Sequence, residues 1–101
     1  MHLVEILLPL RDNEGEPFGH ELFVDVREEL VERFGGLTAF TRSPAEGVWN
    51  AGGERNRDEI VVLEVMAETL DRQWWRAYRE TLEQRFRQDE VVIRTSAVER
   101  L

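Results

Sequence analysis

The chain has no cysteine and no lysine. The first absence removes disulfides, thiolate nucleophiles, iron–sulfur clusters and cysteine-based zinc sites together. The second removes Schiff-base and lysine-nucleophile chemistry, because all 13 basic residues are arginine. Histidine is scarce as well: His2 and His20 leave little for a histidine-rich metal site, and neither a metal nor a cofactor is expected. Basic residues are outnumbered, with 21 acids against 13 bases and a net charge of −8. Such a field repels phosphate backbones and anionic lipid, so neither nucleic acid nor a membrane is an expected partner. Long apolar runs are missing too. The stretch from Leu3 to Leu10 is interrupted by Glu5, is far too short to cross a bilayer, and has no basic residue before it as an export signal would. A cytoplasmic location is the expectation.

What is present is an ordinary globular balance: 101 residues, 42% apolar and 34% charged. That length corresponds to one small domain, able to bury about 65% of the surface its unfolded chain exposes. No internal repeat or low-complexity tract interrupts it. Composition points to an acidic, soluble α+β domain and by itself selects no reaction.

Local patterning orders the elements. Residues 3–8 (Leu3-Val4-Glu5-Ile6-Leu7-Leu8) form an apolar run closed by Pro9, which predicts a strand. Charge, Asn, Gly and Pro then crowd into 11–17, which is turn chemistry. A helix is predicted over 20–34, where Phe23, Val26, Leu30 and Phe34 make one apolar stripe; Glu21 and Asp25 suit its positive end and Gly35-Gly36 its stop. A second strand follows at 37–41, then a loop at 42–58 containing Pro44, Gly47, Gly52 and Gly53. The strongest strand signal lies at 59–67, nearly continuous in hydrophobicity and rich in β-branched residues. Thr69 or Asp71 can cap a second helix over 71–88, with Trp75, Tyr78, Leu82 and Phe86 as its stripe. Residues 91–96 complete a fourth strand. The order is βαββαβ, and right-handed crossovers place both helices on one face of a four-stranded antiparallel sheet, the ferredoxin-like fold.

Strand parity carries functional information, because alternate side chains point to opposite faces. Val4, Ile6 and Leu8, with Val61, Leu63 and Val65, form the apolar sets that should meet the helices. The other face then holds Leu3, Glu5, Leu7, Ile60, Val62, Glu64, Met66, Val92 and Arg94. A sheet face open to water is normally polar, and this one is mostly apolar, so it reads as an interface. The expectation is a homodimer formed by packing this face on its copy; the alternative is that the 42–58 loop folds over it, with Trp49 filling it.

Glu5, Glu64 and Arg94 share that face. One reading is structural, with Arg94 neutralising one carboxylate and the other lying near solvent. The catalytic reading makes Glu64 a general base, with Arg94 and Thr41 orienting a small carbonyl or phenolic substrate in a proton transfer or oxygenation that needs no cofactor. The tract from Thr41 to Trp49 brings a hydroxyl, a guanidinium, a carboxylate and an indole together, so Glu5, Thr41, Arg42, Glu46 and Trp49 are the expected ligand contacts. It is no phosphate loop, lacking the lysine and the glycine spacing. His20 reads as a surface or capping residue, and of the pair Trp74-Trp75 only Trp74 is free to edge toward a groove. The first helix carries five acids and two arginines and the second five arginines and four acids, which suggests ion pairs between them.

The βαββαβ order resembles several ferredoxin-like groups. RNA-recognition motifs place stacking aromatics on central strands, and Leu3–Leu8 and Ile60–Met66 hold none. Acylphosphatases carry an arginine in a glycine-rich loop after the first strand, a pattern that Arg11-Asp12-Asn13-Glu14-Gly15 does not match. In architecture the chain is similar to dimeric α+β-barrel proteins, which pair sheet faces; that resemblance implies a small pocket between sheet and helices. The tract from Phe34-Gly35-Gly36-Leu37-Thr38 to Gly47-Val48-Trp49, followed by Glu59–Glu64, resembles small bacterial domains of unknown function and imports no activity. Binding of a small molecule or a protein partner is the resulting expectation.

Overall fold

The structure, a computed structural model, describes residues 1–42 and 59–101. The 42–58 loop, and with it Glu46 and Trp49, therefore lies outside the described residues apart from Arg42, whose backbone ends a strand. Six elements follow one another: β1 (His2–Pro9), α1 (His20–Phe34), β2 (Thr38–Arg42), β3 (Ile60–Ala67), α2 (Arg72–Arg85) and β4 (Val92–Ala97). The sheet is antiparallel in the order β2-β3-β1-β4, so the ferredoxin-like βαββαβ arrangement stands.

One face of that sheet makes the core. Val4, Ile6 and Leu8 of β1 and Val61, Leu63 and Val65 of β3 are all buried in a single cluster with Phe23, Val26 and Leu30 of α1 and Trp75, Tyr78 and Leu82 of α2. These are the positions that the two periods, 2 along a strand and 3.6 around a helix, assign to one side. Both helices thus cover the same face.

The helix ends show local and tertiary causes acting together. Gly35 takes the left-handed conformation, φ 83°, and its N–H returns to the Val31 carbonyl at 2.8 Å, closing α1 as a glycine can without a Cβ penalty. Asp71 rather than Thr69 caps α2, its Oδ1 accepting the Trp74 N–H at 3.0 Å. Helix α2 stops at Arg85, three residues before the predicted end at 88. Phe86 is fully buried against Phe18 and Phe23, with ring centroids 5.1 and 5.3 Å apart, and Arg87 turns the backbone left-handed at φ 51°. Arg, Phe, Arg and Gln are all compatible with continuing a helix, so packing of the Phe86 ring ends it. Strand β4 likewise begins at Val92, while the Val91 N–H donates to Glu83 Oε2 at 3.0 Å.

The helices are joined by ion pairs of the predicted kind. Arg85 grips Glu29 through both guanidinium nitrogens, Nη2 lying 3.0 Å from Oε2. Arg33 reaches Asp71 at 3.8 Å. No helix among the described residues is long and apolar enough to cross a membrane.

Candidate functional site on the open face of the sheet

The face turned away from the helices is organised in rows by strand register. Glu5 of β1 is paired with Glu64 of β3 on one side and with Arg94 of β4 on the other, and Glu64 is paired in turn with Thr38 of β2. Thr38, Glu64, Glu5 and Arg94 therefore form one polar line across all four strands. An apolar row lies on one side of it, Phe40, Val62, Leu7 and Val92; on the other side come Met66, Leu3 and Ser96. Val62 is buried although it belongs to this face and not to the helix-side cluster, whereas Met66 and Val92 remain 50% and 44% exposed.

Charge along the polar line does not balance. Arg94 Nε donates to Glu5 Oε1 at 3.2 Å, with the Glu5 side chain only 20% exposed. Glu64 is half-buried and makes no hydrogen bond or ion pair with any described residue. Two carboxylates placed directly opposite each other repel, and one guanidinium serves only one of them. Among the described residues the polar line Thr38, Glu64, Glu5 and Arg94 thus carries a net negative charge beside apolar side chains, where Coulomb attraction for a cation is stronger than in bulk water.

Glu64 also lines a hollow of about 390 Å³, bordered by Leu3, Thr38, Met66 and the Gly35-Gly36 turn, with Glu68 and Arg100 at its rim. That volume lies within the roughly 300–1,000 Å³ usual for small-molecule sites. The hollow sets the carboxylates of Glu64 and Glu68, the Arg100 guanidinium and the Thr38 hydroxyl among the apolar side chains of Leu3, Leu37 and Met66.

Of the residues that the sequence nominated, the sheet brings Glu5, Glu64 and Arg94 together. Thr41 is not among them. It pairs with Val61, a core position, and so belongs to the helix-side face of the edge strand, opposite to Glu64. Thr38, three residues earlier and adjacent to Glu64, is the hydroxyl that the sequence reading missed. Residues of β2 could be assigned to a face only once the register was known. Arg42 pairs through its backbone with Ile60. His20 is exposed at the first residue of α1. Trp74 does border a groove, a hollow of about 600 Å³ that it lines with Arg33, Phe34 and Met66, while it stacks on Tyr78 at 4.8 Å and carries the Arg33 guanidinium over its ring at 4.2 Å. No group of three or more His, Asp or Glu side chains among the described residues could hold a metal ion.

A second unexpected polar group lies between the helices. The Tyr78 hydroxyl is buried and has no hydrogen-bond partner among the described residues. Burial, and then the neighbouring Glu29 carboxylate, push its pKa far above the ordinary tyrosine value, with Arg85 opposing them. Arg85 is itself held more firmly protonated by its hydrogen bond to Glu29. No motif signals this group, since tyrosine on an apolar helical stripe reads simply as core.

No family model matches the chain, and no curated protein matches it in sequence. Among solved structures it is similar to a phage SAM lyase in complex with S-methyl-5'-thioadenosine, with a TM-score of 0.64 and 16% identity over 94% of this chain and 79% of that one. The apo state of a phage SAM lyase is similar with a TM-score of 0.60, again at 16% identity, over 94% of this chain and 78% of that one. At this identity the likeness is one of fold.

Proposed function

We propose that this chain binds a small organic cation on the open face of its sheet, with Glu64 as the counter-charge and the hollow beside it as the seat. The ligand class is that of SAM and related thioadenosines. The observation that carries the reading is the Glu64 carboxylate, half-buried, without an ion-pair partner among the described residues, in a hollow of about 390 Å³ that Leu3, Leu37 and Met66 also line. The fold shared with a protein that holds S-methyl-5'-thioadenosine supports the ligand class and does not replace that observation. SAM carries a sulfonium cation and S-methyl-5'-thioadenosine does not, so the two separate the charge term from the nucleoside term.

Isothermal titration with both ligands tests the proposal. SAM binds more tightly than S-methyl-5'-thioadenosine, and Glu64→Gln removes that preference while the variant stays folded. Equal affinity for the two ligands in the unsubstituted protein, or binding of neither, overturns it. The same mixtures, followed by mass spectrometry, separate binding from catalysis. Release of S-methyl-5'-thioadenosine together with homoserine from SAM would make the chain an enzyme: water attacks the carbon of the carbon–sulfonium bond, the bonding pair stays on sulfur, and Glu64 as general base takes the proton of the water.

The exposed Met66 and Val92 side chains favour a second reading of this face, the packing of two copies over Leu3, Leu7, Met66 and Val92. Light scattering after size exclusion checks it: the chain elutes as a dimer, and Met66→Glu with Val92→Glu yields a monomer. A monomeric unsubstituted chain rules the pairing out.

A further inference from the structure

The face of α2 turned toward β4 carries a feature that the open sheet face does not explain. Arg72, Arg76 and Arg79 follow at i, i+4 and i+7 along one helical stripe and line a cleft of about 220 Å³ between α2 and the edge strand. The cleft is floored by Val4 and Ile93, with Trp75 at its side. Arg94 borders the cleft as well, but its guanidinium turns to Glu5 on the opposite face of the sheet.

Nothing in the helix justifies this arrangement. Like charges at i and i+4 destabilise an isolated helix. Arg72 is the first residue of α2 and Arg76 lies one turn on, next to the positive pole of the helix dipole, where the N-cap Asp71 carboxylate is engaged by the Trp74 N–H and by Arg33. Neither Arg72 nor Arg76 makes an ion pair or hydrogen bond with any described residue. Among the described residues Arg79 pairs with Glu83 alone, at 3.8 Å. In a chain with a net charge of −8, two guanidinium groups on one stripe without a partner among the described residues are out of keeping with their surroundings. An anion seated between them reverses each of these unfavourable terms at once.

We propose that this cleft is a second binding site, specific for a small organic oxyanion: a phosphate or carboxylate group joined to an apolar body. The guanidinium groups take the oxygens in bidentate fashion, and the apolar floor takes the rest of the ligand. The small volume limits the ligand to a compact molecule. The overall acidity disfavours a nucleic acid or an acidic protein segment, since a polyanion would meet the repulsion of the whole surface before it reached the cleft.

Titration calorimetry with phenyl phosphate and with inorganic phosphate, at constant ionic strength, tests the site. Both bind saturably at one site, phenyl phosphate more tightly because of the apolar floor. Arg76→Gln weakens phenyl phosphate binding about tenfold, the loss of one charge-assisted contact. Arg72→Gln weakens it similarly. Arg27→Gln, an exposed arginine on α1, leaves it unchanged. All three positions are exposed, so the variants fold, and circular dichroism verifies it. Binding that does not saturate, or that falls equally in Arg27→Gln, overturns the proposal, as does undiminished binding when Arg72 and Arg76 are both glutamine. The outcome is independent of the open-face reading, because SAM binding there is unaffected by Arg76→Gln.

Discussion

Glu5 and Glu64 face each other across the two central strands, and the guanidinium of Arg94 sits on Glu5 rather than on Glu64, 3.2 Å from the Glu5 carboxylate. This asymmetry gives two residues of the same type different roles. Glu5 is part of a cross-strand ion pair that holds the edge strand, and Glu64 has no ion-pair partner among the described residues.

Replacing Glu64 by leucine removes a repulsion and a half-buried charge without breaking a hydrogen bond or ion pair to any described residue. The Glu64→Leu variant is expected to be as stable as the unsubstituted chain or more stable by up to about 1 kcal/mol. Urea unfolding measures this, and a clear loss of stability would show that Glu64 has a structural partner after all.

Arg94 has the opposite expectation. Arg94→Gln leaves both carboxylates unpaired on the sheet face and costs roughly 0.2–1 kcal/mol, the usual range for a largely exposed pair. The cost shrinks at high salt, where the remaining repulsion is screened. A double-mutant cycle with Glu5→Gln isolates the pair, and no coupling energy at low salt would contradict the assigned bond.

Tyr78 links structure to pH. Its folded pKa is raised above the ordinary 10.0, so the folded chain holds the phenolic proton more tightly than the unfolded one. This contribution is fully present below pH 10 and is lost as pH rises toward the raised folded value. Stability is expected to fall in that alkaline range, and Tyr78→Phe to flatten the dependence. Because the chain has a single tyrosine, its near-ultraviolet tyrosinate absorbance reports the event directly. Near neutral pH the same variant removes a buried hydroxyl that has no described partner and is neutral or stabilising. Ordinary tyrosine titration in the folded state would refute the assignment.

Phe86 both fills the core and ends α2. Phe86→Ala should cost about 3–5 kcal/mol. It should also let the helix run on past residue 86, visible as amide protection at Arg87 and Gln88. A small cost, or an unchanged helix end, would show that the aromatic contacts to Phe18 and Phe23 do not set this boundary.

Much of the molecule was legible in the chain itself, and the limit of that legibility has a physical basis. The spacing of Phe23, Val26 and Leu30, or of Trp75, Tyr78 and Leu82, selects one helical face without reference to anything else, because periodicity is a property of a single segment. Alternation in 3–8 and 60–66 similarly separated Glu5 and Glu64 from the core-facing valines and leucines. What one segment cannot encode is its offset against another. That Glu5 lies opposite Glu64, that Arg94 completes the row, that Thr38 and not Thr41 stands beside Glu64, and that three arginines of α2 line a cleft against β4 all depend on strand register and helix docking. These are decided by how the separate apolar faces interlock. The end of α2 was decided the same way: residues 86–88 suit a helix locally, and the burial of the Phe86 ring between Phe18 and Phe23 outweighs that preference.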